Sequence, residues 1–353
     1  MAANSFNLTL PLSQSSFAQL FHYNISLKTQ NTMTDSVAYT LQNNQSTDSK
    51  SRLERLLQSG TFVATAETTP PISADPTPLL DVAHELRNHV DAVNVTDGAS
   101  AKSHMASLAA ASILVGAGIE PVLQFTVRDR NRIALQSDLL GAAALGVSNI
   151  LCLTGDNVTA GDQPDAKMVM DLDSRGLMTL ARDMRDKVQL PSGRPVEKAP
   201  SLFIGAADAP QEPNNDWSAT ALHAKIDAGA EFFQTQFCFD ADLVRRYMNR
   251  LEGEGVLERA YFLIGTGPIA SVKSALWMNQ NLFGVDVPEH IITRLEKAKN
   301  QSDEGRKICI ELIQQLRSIP GVSGVHLMGP RTENAAAQVI ADSGILNDRP
   351  EII

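Results

Sequence analysis

Residues 146–156 read GVSNILCLTGD: a glycine, an apolar run at Ile150–Leu153, then an abrupt change to Thr154-Gly155-Asp156. A short apolar run bounded by turn formers is a buried strand, too short for a helix. The same unit recurs along the chain. Phe62–Ala66 gives way to Glu67, Ala92–Val95 to Thr96, and Val122–Leu123 to Gln124. Leu202–Ile204 is followed by Gly205-Ala206, Phe232–Thr235 by Gln236, Tyr261–Ile264 by Gly265-Thr266, and Gly324–Leu327 completes a set of eight. Most neighbours are separated by helical apolar spacing. Eight strands alternating with helices predict a single-domain α/β protein of the (β/α)8 TIM-barrel class. In that fold the site lies at the C-terminal strand ends, so the residues that close each run are the candidate chemistry.

The intervening helices are legible from their stops. Ser51–Leu57 reads as a short helix before the first strand, and Asp75-Pro76 opens another with apolar residues at Leu79, Leu80, Val82, Ala83 and Leu86. Ala101–Val115 is a small-residue helix, Asp129 a cap for a helix through Leu145, and Asp171–Val188 a further helix. Ser218–Ala228, Asp240–Leu251, Pro268–Met278, Pro288–Ser318 and Glu333–Ser343 complete the set.

Composition narrows the function. The formal charge is −10, against a nucleic-acid partner, because phosphate binding needs concentrated Lys and Arg. Cys152, Cys238 and Cys309 are isolated, too few for an iron–sulfur cluster, a structural zinc site or a disulfide framework. A reducing cytoplasm is expected. No apolar run approaches the roughly 18–20 residues that span a bilayer. Residues 1–50 are rich in Ser, Thr, Asn and Gln, and are read as a disordered extension or an over-long start with Met33 as initiator. The barrel is assigned to residues 51–353.

Three strand ends carry groups suited to heterocycle chemistry. Glu67, followed by Thr68-Thr69-Pro70-Pro71, is a candidate general acid whose pKa burial would raise; a capping or salt-bridged carboxylate is the plainer reading. Asp156, after Gly155, would stabilise a cation at the barrel mouth, or be a turn aspartate. Gln236 shares a strand face with Gln234, and its amide suits a pterin edge or an internal backbone bond. Gly265-Thr266-Gly267-Pro268-Ile269-Ala270, with Asp286 about twenty residues on, matches a loose dinucleotide pattern. It sits seventh in an eightfold series, which disfavours a Rossmann unit. The seven histidines lack metal-ligand spacing, and only His326 falls in a strand, where it would face the interior.

Taken in order, these pieces resemble the methylenetetrahydrofolate reductase family of flavin-dependent barrels over roughly residues 60–345. The carriers are Ala66–Pro71, Asn94-Val95-Thr96-Asp97-Gly98, Gly146–Asp156, Asp227-Ala228-Gly229-Ala230, Gln234–Asp240 and Gly324-Val325-His326. The resemblance implies reduction of 5,10-methylenetetrahydrofolate to 5-methyltetrahydrofolate, or the reverse in methyl catabolism, with FAD bound and NADH or NADPH as co-substrate. It implies Glu67 as the acid that opens the folate five-membered ring to an iminium, Asp156 as the carboxylate favouring that cation, and Gln236 as the amide on the folate. Thr96, Gln124, Thr154, Gly155, Asp156, Ala207 and Lys225 fall where the family lines its flavin. No metal is implied. A homo-oligomer is expected, and no regulatory domain after Ile353.

The chain departs from the family at four places. Thr154, Gln124 and Ser218 stand where many members carry an arginine, a histidine and an acidic residue, and Val272 where a phenylalanine often meets the folate. Two alternatives follow: a flavin-free member passing hydride directly from nicotinamide to folate, or a folate-binding subunit without catalysis.

Overall fold

The computed structural model describes residues 50–329 and 332–347. The expectation for residues 1–50 therefore concerns a stretch of which only Lys50 is described. Eight parallel strands close into a barrel in chain order, the first pairing with both the second and the eighth. They are β1 (Val63–Thr68), β2 (Ala92–Val95), β3 (Pro121–Thr126), β4 (Asn149–Leu153), β5 (Phe203–Asp208), β6 (Phe232–Phe237), β7 (Tyr261–Thr266) and β8 (Val322–Leu327). The helices are α1 (Arg52–Gln58), α2 (Thr77–Leu86), α3 (Ser107–Gly116), α4 (Arg132–Ala144), α5 (Ser174–Asp186), α6 (Thr220–Ala228), α7 (Ala241–Gly253), α8 (Val272–Asn281), α9 (Glu289–Lys297), α10 (Gln301–Arg317) and α11 (Glu333–Ser343).

Period-two alternation divides each strand between two cores. Inward residues Val63, Ala92, Val122, Leu151, Phe203, Phe232 and Leu263 pack with Leu53, Leu56 and Leu57 of α1. That helix stoppers the N-terminal end of the barrel. Ser51 caps it, and Glu120 at the start of β3 accepts from the backbone N–H groups of Arg52 and Leu53 at 2.9 and 2.8 Å. The outward residues pack under the helix ring in a second, larger core.

Several expected boundaries move. β1, β3, β5 and β6 run past their apolar stretches, so Glu67, Gln124, Ala207 and Gln236 lie within strands. In β1, β3 and β6 the apolar run stops early because the interior itself turns polar near the mouth. Asn131, not Asp129, caps α4, accepting from the N–H groups of Ile133 and Ala134; Asp129 instead pairs with Arg128 at 2.7 Å. The stretch Ala101–Val115 begins as a 3₁₀ turn at Ala99–Ala101, and helix starts only at Ser107. Asp173 rather than Asp171 caps α5, while Asp171 pairs with Arg132. Pro288–Ser318 divides into α9 and α10, and Asn300 caps the second.

The dinucleotide-like glycines have a packing explanation. A Cβ on Gly265 would run into the Thr235 carbonyl oxygen, and one on Gly267 into that of Met328. Their bareness lets β7 sit against its neighbours, and no Rossmann unit is present among the described residues.

Candidate active site

At the C-terminal end of the barrel lies a cleft of about 620 Å³ lined from β1, β3, β4, β5, β6 and β8. It gathers Glu67, Gln124, Asp156, Ala207, Lys225 and Gln236 together with the apolar side chains of Leu151 and Leu153. A larger cavity of about 700 Å³ opens at the opposite end, beside Arg52, Asp91 and Glu120. Its acids are already engaged: Asp91 by Arg52 at 3.0 Å and by the Ala64 N–H at 2.8 Å, Glu120 by α1. Those groups hold the barrel floor together.

Glu67 follows Val63 and Thr65 on the inward face of β1, so alternation alone aims its carboxyl at the mouth. Protein encloses it except on the cleft side. Burial pushes its pKa up, and the Glu333 carboxylate on α11 adds to the rise, while a 2.8 Å bond from Gln124 Nε2 opposes it.

Asp156 reaches the cleft from the turn after β4. Gly155 makes that turn at φ 91°, where a Cβ would press on Arg128 and Thr126 at about 3 Å. Asp156 Oδ2 accepts from the Ser100 N–H at 2.9 Å. Ser100 and Ala101, both non-glycine, hold left-handed φ values of 55° and 54° there. Such strain persists only where surroundings enforce it. The support is a buried polar cluster: Asp97 accepts from the Thr126 N–H and hydroxyl, the Ser107 hydroxyl and Arg130. Burial alone would raise the Asp97 pKa, but Arg130 and Thr126 hold it below the usual range. Arg128 donates to the Gly98 and Asp156 carbonyl oxygens, tying the loops after β2 and β4 together.

Across the cleft, Lys225 of α6 donates to the Ala207 carbonyl at 2.6 Å. Burial pulls its pKa down, partly offset by nearby Asp208. Asp208 accepts from the Tyr247 hydroxyl at 2.9 Å, and burial pushes its pKa up. Gln236 sits in a bulge: Gln234 pairs with Leu263, but Phe237 with Gly265. Its Oε1 accepts from the Phe237 N–H at 3.0 Å, which leaves the NH2 group without a partner among the described residues.

Three expected flavin residues stand apart. Thr154 is exposed, and neither it nor Gly155 lines the cleft. Thr96 is buried at the end of β2, and its Oγ1 has no hydrogen-bond partner among the described residues. Val272 packs on the outer core. Conversely, sequence reasoning passed over Phe283, which lines the cleft and is 90% exposed. No local signal marks it, because its turn after α8 reaches the cleft only through the tertiary fold. Among the described residues no group of three or more His, Cys, Asp or Glu side chains could hold a metal ion, and no helix is long and apolar enough to cross a membrane.

Comparison with known proteins adds a second line of observation. The methylenetetrahydrofolate reductase family profile matches residues 52–344. The Caenorhabditis elegans probable methylenetetrahydrofolate reductase (NADPH) is 26% identical over 244 residues, 67% of this chain and 34% of its own. Schizosaccharomyces pombe methylenetetrahydrofolate reductase 1 is 22% identical over 241 residues, 65% of this chain and 36% of its own. The chain thus spans little more than a third of these relatives. Among solved structures, an uncharacterized Clostridium thermocellum protein that binds two copies of 5-methyl-5,6,7,8-tetrahydrofolic acid aligns with TM-score 0.57 and 12% identity, covering 82% of this chain and 98% of that one. At that identity the likeness is one of fold.

Proposed function

The chain belongs to the methylenetetrahydrofolate reductase family, and from that premise we propose that it reduces 5,10-methylenetetrahydrofolate to 5-methyltetrahydrofolate at the C-terminal cleft. The observation that carries the reading is the convergence of an enclosed acid, an open carboxylate and a half-free amide on one cleft.

Each group has a task. Glu67, its pKa raised by burial, keeps a proton into the range where an exposed glutamate has lost it. It delivers that proton to the folate nitrogen, and the five-membered ring opens to an iminium. Asp156 offers a carboxylate to the developing cation. The Gln236 NH2 group holds the heterocycle, and Leu151 and Leu153 supply an apolar face. Hydride then adds to the methylene carbon, and NADH or NADPH is the reductant.

The residues fit a flavin in part. Thr96 Oγ1 is a buried polar atom without a partner among the described residues, and such atoms are rare unless a ligand or water meets them. Gln124, Asp156, Ala207 and Lys225, which line the cleft, would hold FAD, with Thr96, Thr154 and Gly155 beyond its lining. Bound there, FAD supplies two-electron transfer between nicotinamide and folate. A second reading, direct hydride transfer without flavin, is favoured by one observation: Thr154 and Gly155 lie outside the cleft lining. A homo-oligomer is part of the proposal and is checked by sedimentation.

The test is the anaerobic visible spectrum of the purified protein, before and after NADH or NADPH and then methylenetetrahydrofolate. A flavin band that bleaches with the nicotinamide and returns with the folate is expected. A colourless protein that still turns over establishes the direct route, and one without turnover overturns the enzyme reading.

A further inference from the structure

One inward step below Glu67 and Gln236 lies a layer of four buried polar side chains that the proposed chemistry does not use. Thr65 on β1, Asn94 on β2, Gln234 on β6 and His326 on β8 meet at the barrel axis. Asn94 Nδ2 donates to Gln234 Oε1 at 2.6 Å, and Gln234 Nε2 donates back to Asn94 Oδ1 at 3.0 Å. The second proton of that NH2 group goes to Thr65 Oγ1 at 3.0 Å. Having accepted there, the Thr65 hydroxyl donates to His326 Nδ1 at 2.9 Å, a better acceptor position than the Val325 carbonyl at 3.5 Å.

The relay ends on a lone pair at Nδ1, so the single proton of a neutral imidazole sits on Nε2. That ring is held neutral: burial with no facing charge pushes its pKa down to about 3. Nε2 has no partner among the described residues, and both His326 and Gln234 line the cleft floor. Four polar groups at a barrel centre cost desolvation that an apolar layer avoids. What the layer secures instead is one donor of defined tautomer at the base of the site.

We propose that His326 is a substrate-positioning residue, its Nε2–H donating to a carbonyl oxygen or imine nitrogen of the bound heterocycle, with the tautomer set by Thr65, Gln234 and Asn94. The proposal rests on the reading of this cleft as a folate site. It assigns His326 a fixed donor, leaving proton transfer to Glu67.

The test is ¹⁵N NMR of the imidazole-labelled wild-type protein, alone and titrated with 5-methyltetrahydrofolate. The expected result is a protonated Nε2 and bare Nδ1, unchanged across about pH 5–8 where an ordinary histidine titrates, with the Nε2 resonance moving on folate binding. His326→Phe should weaken folate binding about three- to tenfold, the range of one neutral hydrogen bond, raising KM while kcat holds. His326→Gln should recover part of the loss. A proton on Nδ1, which requires both amides reversed, overturns the proposal. So does an Nε2–H that bound folate leaves unmoved, while the substrate reading survives. A wild-type protein that binds no 5-methyltetrahydrofolate overturns both.

Discussion

Replacing Glu67 by glutamine separates two consequences of enclosing a carboxyl at the barrel mouth. The exchange is isosteric, and Gln124 Nε2, now 2.8 Å from Oε2, retains an amide oxygen to bond. Cleft shape should persist while the transferable proton is lost. A positioned general acid contributes about 10²–10⁴ in rate, or roughly 3–5 kcal/mol at about 1.4 kcal/mol per decade. The fall should appear in kcat/KM for methylenetetrahydrofolate.

Stability should move the other way. The unfolded glutamate loses its proton near its ordinary value of 4.5, whereas the folded one holds it to higher pH. As pH rises from that ordinary value through the raised one, the fold loses at most about 1.4 kcal/mol for each pH step between the two, less what solvent in the cleft screens. The variant carries no such loss. In urea unfolding it should match the parent near about pH 4 and exceed it near about pH 8. Unchanged kcat/KM would refute the acid assignment. A variant less stable than the parent at the higher pH would refute the argument from burial.

Three further outcomes are expected. Because His326 stays neutral down to about 3 while the unfolded ring protonates near 6.5, stability should fall as pH drops between those values, by up to about 1.4 kcal/mol for each pH step; His326→Gln should flatten that acid limb, and parallel curves would contradict it. Gly205→Ala drives a Cβ into the Phe232 ring and should cost about 1–3 kcal/mol, read as a calorimetric Tm lower by roughly 2–4 °C per kcal/mol; an unaltered Tm means the interior can yield. Phe283→Ala, at a side chain 90% exposed, should leave stability within about 0.5 kcal/mol yet raise KM for the folate; equal KM and kcat would remove Phe283 from the site.

The barrel was readable because its instructions are local. A four-residue apolar run, a glycine stop or an Asp cap acts over a few residues, as at Ile150–Leu153, Gly229 and Asp240. Strand ends were placed too early for a physical reason: apolar patterning fails where the interior becomes polar. Gln124 and Gln236 therefore looked like loop starts although their backbones continue the ladder.

What the amino-acid order determined by itself was the eightfold alternation and, through it, the end of the barrel where Glu67, Asp156 and Gln236 would lie. Which groups meet was decided only by closure. Gln124 bonds Glu67 across 57 residues, and Thr65 meets His326 across 261. The same closure leaves Thr154 exposed, brings Phe283 to the rim and encloses Glu67, whose raised pKa is a property of its surroundings. Such contacts depend on strand register and on a ring of strands returning to its start, and no window of neighbouring residues contains either.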